Sequence, residues 1–380
     1  MVQIIISGIL AFLLTLLVIP VIIVIAKKKK LYDEPDENRK LHKQPIPSLG
    51  GLGIFVGFIL SLLLTINFSA GAAEFQYYVA AFLLIFFLGI KDDIMVISPT
   101  KKFFGQIVAA VILVYKAGLI ISNVDGFLGF YEINVPVGFL LSVFTIVVII
   151  NAFNLIDGVD GLAGGLGLIS SLVFGIFFLV NNNIPYAVLA FCFGGSLMAF
   201  LYYNFHPAKI FMGDTGSLMV GLVNSILVLK FINTGSNHAI YPVVSAPAVG
   251  FAVLLLPLMD TLRVFSMRIF NGTSPFSPDR THIHHLLLSR GFSHKAVTLI
   301  CITAAIAISI IAFYFQHLGT TRLLALVATL FFSFVYLLQF RRTSYKLRVI
   351  KGEVKPNIAE REIRLVPLFD KKPASIVKED

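Results

Sequence analysis

The chain has 380 residues, of which 57% are apolar and only 13% charged, with a mean hydropathy of +0.90. This composition excludes a soluble globular domain and fits an all-α, polytopic membrane protein. The net charge of +10 does not call for nucleic acid, because Lys and Arg of membrane chains collect on the cytoplasmic side.

A span needs roughly 20 apolar residues. Eleven such stretches are predicted: 3–26, 48–67, 75–91, 103–121, 136–152, 161–180, 186–203, 216–232, 243–265, 296–315 and 321–340. The first has no basic segment before it and Lys27–Lys30 directly after it, the reverse of a cleaved signal peptide, so it is read as a span with the N-terminus outside. Alternation then makes 27–47, 92–102, 153–160, 204–215, 266–295 and the tail cytoplasmic. With Lys91 and Arg263 at their edges, these segments hold 27 of the 30 Lys and Arg. Lys116, Lys230 and Arg322 remain near outer span ends, where long side chains can snorkel. The domain reading is one transmembrane catalytic domain, 1–340, with a basic cytoplasmic tail, 341–380. Cys192 and Cys301 lie in apolar runs and read as core residues.

Seventeen of the 20 acids also fall on the cytoplasmic side. Topology does not require that, since acids contribute little to orientation. They gather in clusters. The first loop ends in RKLHKQPIPSLGG, where His42, Lys43 and glycine N–H groups would form a phosphate-facing rim, against the plainer reading of a rigid basic turn. The third span ends in GIKDD. Asp92 and Asp93 there are adjacent carboxylates that suit a general base, a metal ligand or a simple helix stop. After the fifth span comes NAFNLIDGVDGLAGG, with Asn151, Asn154, Asp157 and Asp160 among glycines that admit a close phosphate; a polar helix-connecting turn is the alternative. After the seventh comes FMGDTGSL, which sets Asp214 at a helix start, as a cap or as a magnesium–phosphate ligand.

The loop after the ninth span contains SPDRTHIHHLLLSRGFSH. Three clustered histidines raise zinc, but the HxHH spacing lacks the helical i,i+4 pair and no cysteine is near. Arg280, His282, His284 and His285 read better as a pyrophosphate clamp. Asp260 and Arg263 form an intrahelical ion pair. Together the clusters suit transfer of a phosphoryl-linked group between a soluble nucleotide and a membrane lipid. A secondary transporter would put ionisable groups near the midplane, and no span centre carries one.

HKQPIPSLGG, GIKDD, NAFNLIDGVDGLAGG, FMGDTGSL and DRTHIHHLL occur in this order. Together they resemble the polyprenyl-phosphate N-acetylhexosamine-1-phosphate transferases, of the glycosyltransferase family 4 type. The HIHH form and the preceding DTLRV resemble the branch that uses UDP-N-acetylglucosamine and undecaprenyl phosphate. The sister phospho-N-acetylmuramoyl-pentapeptide transferase is the same-class alternative. The resemblance implies a multi-pass enzyme of the bacterial inner membrane with its site on the cytoplasmic face. It implies magnesium, with manganese an alternative, held by Asp214 and Asn154. Asp92 or Asp93 would deprotonate or orient the lipid phosphate. Asp157 and Asp160 would face the nucleoside side, Arg280, His282, His284 and His285 the phosphates and sugar, and Asn151 would bind substrate. A homodimer is left open. Where the family usually has a third acid or amide after the paired Asp, this chain has Val96.

Overall fold

The computed structural model describes residues 1–29, 31, 46–67, 73–235, 239–272 and 281–340. His42, Lys43, Arg280 and the tail lie outside them. Among the described residues there are thirteen α-helices: α1 (Val2–Lys29), α2 (Gly50–Thr65), α3 (Phe75–Ile94), α4 (Pro99–Val111), α5 (Val135–Ile156), α6 (Leu162–Val180), α7 (Ile184–Asn204), α8 (Gly213–Gly235), α9 (Ala246–Val253), α10 (Leu255–Phe270), α11 (Ile283–Ser289), α12 (His294–Tyr314) and α13 (Thr320–Phe340).

A helix stands at each of the eleven expected spans, but fewer meet the requirement of a crossing. Seven are long and apolar enough, namely α1, α5, α6, α7, α8, α12 and α13. The expected span 243–265 is a broken pair, α9 and α10, bent by 81°. Pro257 sits in the first turn of α10; in a continuous helix it would give no N–H and its ring would meet the Val253 carbonyl, and the chain turns there instead. α2 has only 16 residues, and α4 passes into a π-helical turn over Ile112–Lys116.

The loop before α5 is not helical. β1 (Asn123–Phe127) and β2 (Phe130–Glu132) form an antiparallel hairpin. Asp125, Gly126, Leu128 and Gly129 take positive φ there. The hairpin is tied to α13 by Thr320 Oγ1, which donates to the Asp125 carbonyl at 2.6 Å.

α8 is the centre of the bundle. Nearly all of its residues are buried, and it packs on α2, α3, α5, α6 and α9. Lipid tails are as apolar as the helices, so helix association rests on close van der Waals packing through small residues. A Cβ on Gly51 of α2 would lie 2.1 Å from the Gly216 nitrogen, and one on Gly89 of α3 would lie 2.4 Å from the Thr215 Cα. Both helices therefore touch the backbone at the start of α8.

The polar groups separate to the two ends. The C-terminal ends of α3, α5, α7 and α10 meet the N-terminal ends of α2, α4, α6, α8 and α12 at one end. At the other, Lys230 has protein partners. It lies 3.7 Å from Glu74 and over the Tyr186 ring, because α3 and α7 offer both partners beside it.

Replacing Gly51 or Gly89 with Ala should destabilise the protein by about 1–3 kcal/mol through overpacking against backbone. Gly194→Ala, whose nearest neighbour would be 3.6 Å away, should be tolerated. Thermal unfolding in detergent checks this, and equal midpoints for the three variants would refute the close-approach account.

Candidate active site

The site starts from the junction of α3 with α8. Asp93 Oδ1 accepts from the Asp214 N–H at 2.6 Å, and Oδ2 accepts from the Thr215 N–H at 3.0 Å and the Thr215 hydroxyl at 2.5 Å. A helix start has unpaired N–H groups and a positive dipole end. Asp93 supplies the cap from another helix. Gly213, with φ +71°, permits it, since a Cβ there would lie 2.1 Å from the Ser48 carbonyl oxygen and 2.7 Å from Asp93 Oδ1. Asp214, the first acid of α8, is thereby aimed at the C-terminal end of α5.

There Asn154 donates to Asp214 Oδ1 and, at 2.9 Å, to the Ser217 hydroxyl. Lys102, from the first turn of α4, enters the same place. Its Nζ lies 2.7 Å from Asp214 Oδ1, 2.9 Å from Asp92 Oδ2 and 3.5 Å from Asn154 Oδ1. Asp92 Oδ1 is held by the Ile97 N–H at 2.8 Å. Two carboxylate oxygens and one amide oxygen thus surround a single cation. A hard, oxygen-only donor set suits magnesium or manganese, and the ammonium marks where a positive charge is stable. The residues present therefore fit a divalent ion. Val96 is 97% exposed and stands outside this group.

The other expected residues fall around it. Asn151 donates to Gln106 Oε1 at 2.5 Å and to the Val147 carbonyl at 2.8 Å, which joins α5 to α4. Asp157 ends α5 and is half-buried. Loss of solvation, reinforced by the negative charges of Asp214, Asp93 and Asp160, pushes its carboxyl up to about 7. Asp160 is buried and turns away to a second cluster. Its Oδ2 is 2.8 Å from His206 Nδ1, and its Oδ1 is 3.9 Å from His294 Nδ1.

The three histidines of HIHH differ from one another. His282 Nδ1 lies 2.8 Å from Asp260 Oδ2. Asp260 also pairs with Arg263 at 2.9 Å, as the spacing predicts, and accepts from the Ile283 N–H at 3.0 Å. His284 is buried against the loop after α5, where a Cβ on Gly158 would lie 2.3 Å from its Nε2. Burial, with His285 beside it, drops its pKa to about 3, so the ring is neutral. Only His285 of the three is half-exposed.

Lys102, Gln106, His206 and His294 were not among the expected site residues. Lys102 and Gln106 are one turn apart on the same face of α4, a polar pair at the head of an apolar run. His206 stands five residues before FMGD.

Fold and site define a helical, multi-pass membrane enzyme whose acids are gathered at one end around a cation position. Residues 75–232 match glycosyl transferase family 4. The chain is 35% identical over 304 residues to the probable undecaprenyl-phosphate N-acetylglucosaminyl 1-phosphate transferase of Bacillus subtilis (strain 168), across 79% of this chain and 81% of that protein. It is 33% identical over 364 residues to the decaprenyl-phosphate N-acetylglucosaminephosphotransferase of Mycobacterium leprae (strain TN), across 89% and 91%. With the undecaprenyl-phosphate alpha-N-acetylglucosaminyl 1-phosphate transferase of Yersinia pestis it shares 33% over 288 residues, across 74% and 76%. The chain belongs to glycosyl transferase family 4.

Two outcomes follow from the charges. Removing the Lys102 ammonium should tighten divalent-ion binding in the absence of substrates, because a unit charge within 4 Å is worth about 1–4 kcal/mol. Lys102→Met should bind Mn²⁺ on the order of tenfold more tightly by electron paramagnetic resonance titration. Unchanged affinity would show that the lysine does not share the ion's place.

The second concerns Asp157. Between about pH 4 and about pH 7 the folded protein keeps a proton on this carboxyl that the unfolded chain has released. Wild-type stability should therefore fall relative to Asp157→Asn across that window, with no further change above it. Unfolding midpoints from pH 4 to 8 test this, and a gap independent of pH would refute it.

Proposed function

We propose that the protein transfers N-acetylglucosamine 1-phosphate from UDP-N-acetylglucosamine to undecaprenyl phosphate and releases UMP. This would be the first membrane step of a bacterial cell-envelope polysaccharide. The names of the relatives support the polyprenyl phosphate acceptor and the N-acetylglucosamine phosphate donor. The carrying observation is the oxygen-lined cation position formed by Asp92, Asn154 and Asp214 at the start of a buried helix. In this reading the bundle crosses the bacterial inner membrane eleven times, with α9–α10 as one broken crossing. The N-terminus lies outside and the polar end faces the cytoplasm, where nucleotide sugars are.

A lipid phosphate oxygen attacks the β-phosphorus, the bond from that phosphorus to the α–β bridging oxygen breaks, and UMP leaves. Magnesium on Asp214 and Asn154 would neutralise charge on the pyrophosphate. The protein contributes placement and preorganised charge. Asp93 is a positioning residue, since both of its oxygens hold the start of α8. Asp92 is better placed to orient or deprotonate the lipid phosphate, because its Oδ2 faces the cation position. Lys102, once displaced from between the carboxylates, has a phosphate as its natural partner. Asp157 and the His282–His285 segment line the approach for the nucleotide sugar.

Purified protein with undecaprenyl phosphate and magnesium should release UMP from UDP-N-acetylglucosamine and none from UDP-N-acetylmuramoyl-pentapeptide. Asp214→Asn keeps the shape and removes the charge, so it should fold yet lose on the order of 10² or more in turnover. Near-normal turnover at saturating magnesium would remove Asp214 from the metal.

A further inference from the structure

The geometry points to a second cation site in this protein, built by Asp160, His206 and His294, that takes a borderline transition-metal ion of zinc's class. The ligands come from three elements: the loop after α5, the loop after α7 and the first turn of α12. One carboxylate oxygen and two imidazole nitrogens lie within 4.8 Å of one another. In a tetrahedral zinc site such atoms are about 3.4 Å apart, so small shifts close the set. Two nitrogens and one oxygen disfavour magnesium and manganese and suit zinc, nickel or copper. The donor set is thus distinct from the oxygen-only position around Lys102.

Charge balance supplies the reason for an ion. Asp160 is only 5% exposed, and a buried carboxylate needs compensation. Among the described residues its ion-pair partners are the two histidines, at 2.8 and 3.9 Å. Their rings stack, with centroids 5.2 Å apart and planes at 23°. A divalent ion held between the two rings and the carboxylate would supply that compensation.

The surroundings hold the ligands in place. Thr298 donates to the Asp160 carbonyl at 2.7 Å, which ties α12 to the loop. Asn204 accepts from the Gly161 N–H at 2.7 Å and donates to the Ile210 carbonyl at 2.9 Å, which braces the segment carrying His206. His206 is partly exposed, so the ion has a way in and an open position for water. Such an ion would staple two loops and the start of α12 beside the catalytic carboxylates.

The test uses the full chain in detergent, stripped with chelator and then equilibrated with zinc in the presence of magnesium. Bound zinc is measured by plasma mass spectrometry, and unfolding midpoints are taken with and without zinc. Wild type and Asp214→Asn should each retain about one zinc per chain, and zinc should raise both midpoints. His206→Gln, which can still hydrogen-bond Asp160, and His294→Ala should each retain less than about a tenth of that and show no shift. Absence of retained zinc in the wild type would overturn the proposal and leave Asp160–His206 as a hydrogen bond only. Equal zinc in His206→Gln would also overturn it, by moving the metal elsewhere.

Discussion

Asp93 gives both of its carboxylate oxygens to the first turn of α8, and the rest of the site hangs on that contact. Two backbone N–H groups and one hydroxyl converge on it within 3.0 Å. Capping of this kind is worth about 1 kcal/mol at an exposed helix start, and charged hydrogen bonds are stronger. Its structural effect exceeds that energy. It locks α3 to α8 in the one register where Gly89 passes the Thr215 backbone. The backbone of Asp214 is fixed by the cap, and its side chain is held toward α5 by Asn154 and Lys102. The glycine contacts and the cap depend on each other, since a side chain at Gly89 or Gly51 would push α8 out of Asp93's reach.

That junction concentrates negative charge. Asp92, Asp93, Asp157, Asp160 and Asp214 share one end of the bundle, where loss of solvation, reinforced by the neighbouring carboxylates, lifts the Asp157 carboxyl to about 7. Lys102 offsets part of this charge by standing between Asp92 and Asp214. Among the described residues it is the one ammonium placed between these acids, and a surplus of carboxylates of this kind favours uptake of cations.

Much of the fold was legible in the sequence, because apolar length and the placement of Lys and Arg are one-dimensional signals. The ends of α1, α5, α6 and α7 fall within a few residues of the expected spans. The break at Leu254 was not legible. Pro257 lies inside an apolar run long enough to cross, and an apolar run carries no mark of an 81° bend. The hairpin was missed because its strands have five and three residues and little alternation. At the site, the acids and amides announced themselves by standing at the ends of apolar runs. Lys102 did not, since a lysine at a helix start reads as a surface anchor until the helix is packed against two acids. His206 and His294 are 88 positions apart in sequence, and they meet where the loop after α7 and the first turn of α12 both reach Asp160.

The HIHH segment shows why a motif does not settle its chemistry. Three adjacent imidazoles invite a single role, such as a basic clamp, yet their surroundings assign three. Asp260 holds His282 Nδ1 and so sets which ring nitrogen is turned outward. His284 is packed on Gly158 with a pKa near 3, too low to carry charge at neutral pH. It therefore acts by shape and hydrogen bonding, and it couples the histidine segment to the loop that holds Asp157 and Asp160. His285 alone keeps enough exposure to meet a ligand as an ordinary histidine. Gly158 is the position that permits this coupling, because a side chain there would displace the His284 ring and separate the two loops. The histidine segment and the placement of the carboxylates are thus joined through the contact of His284 with Gly158.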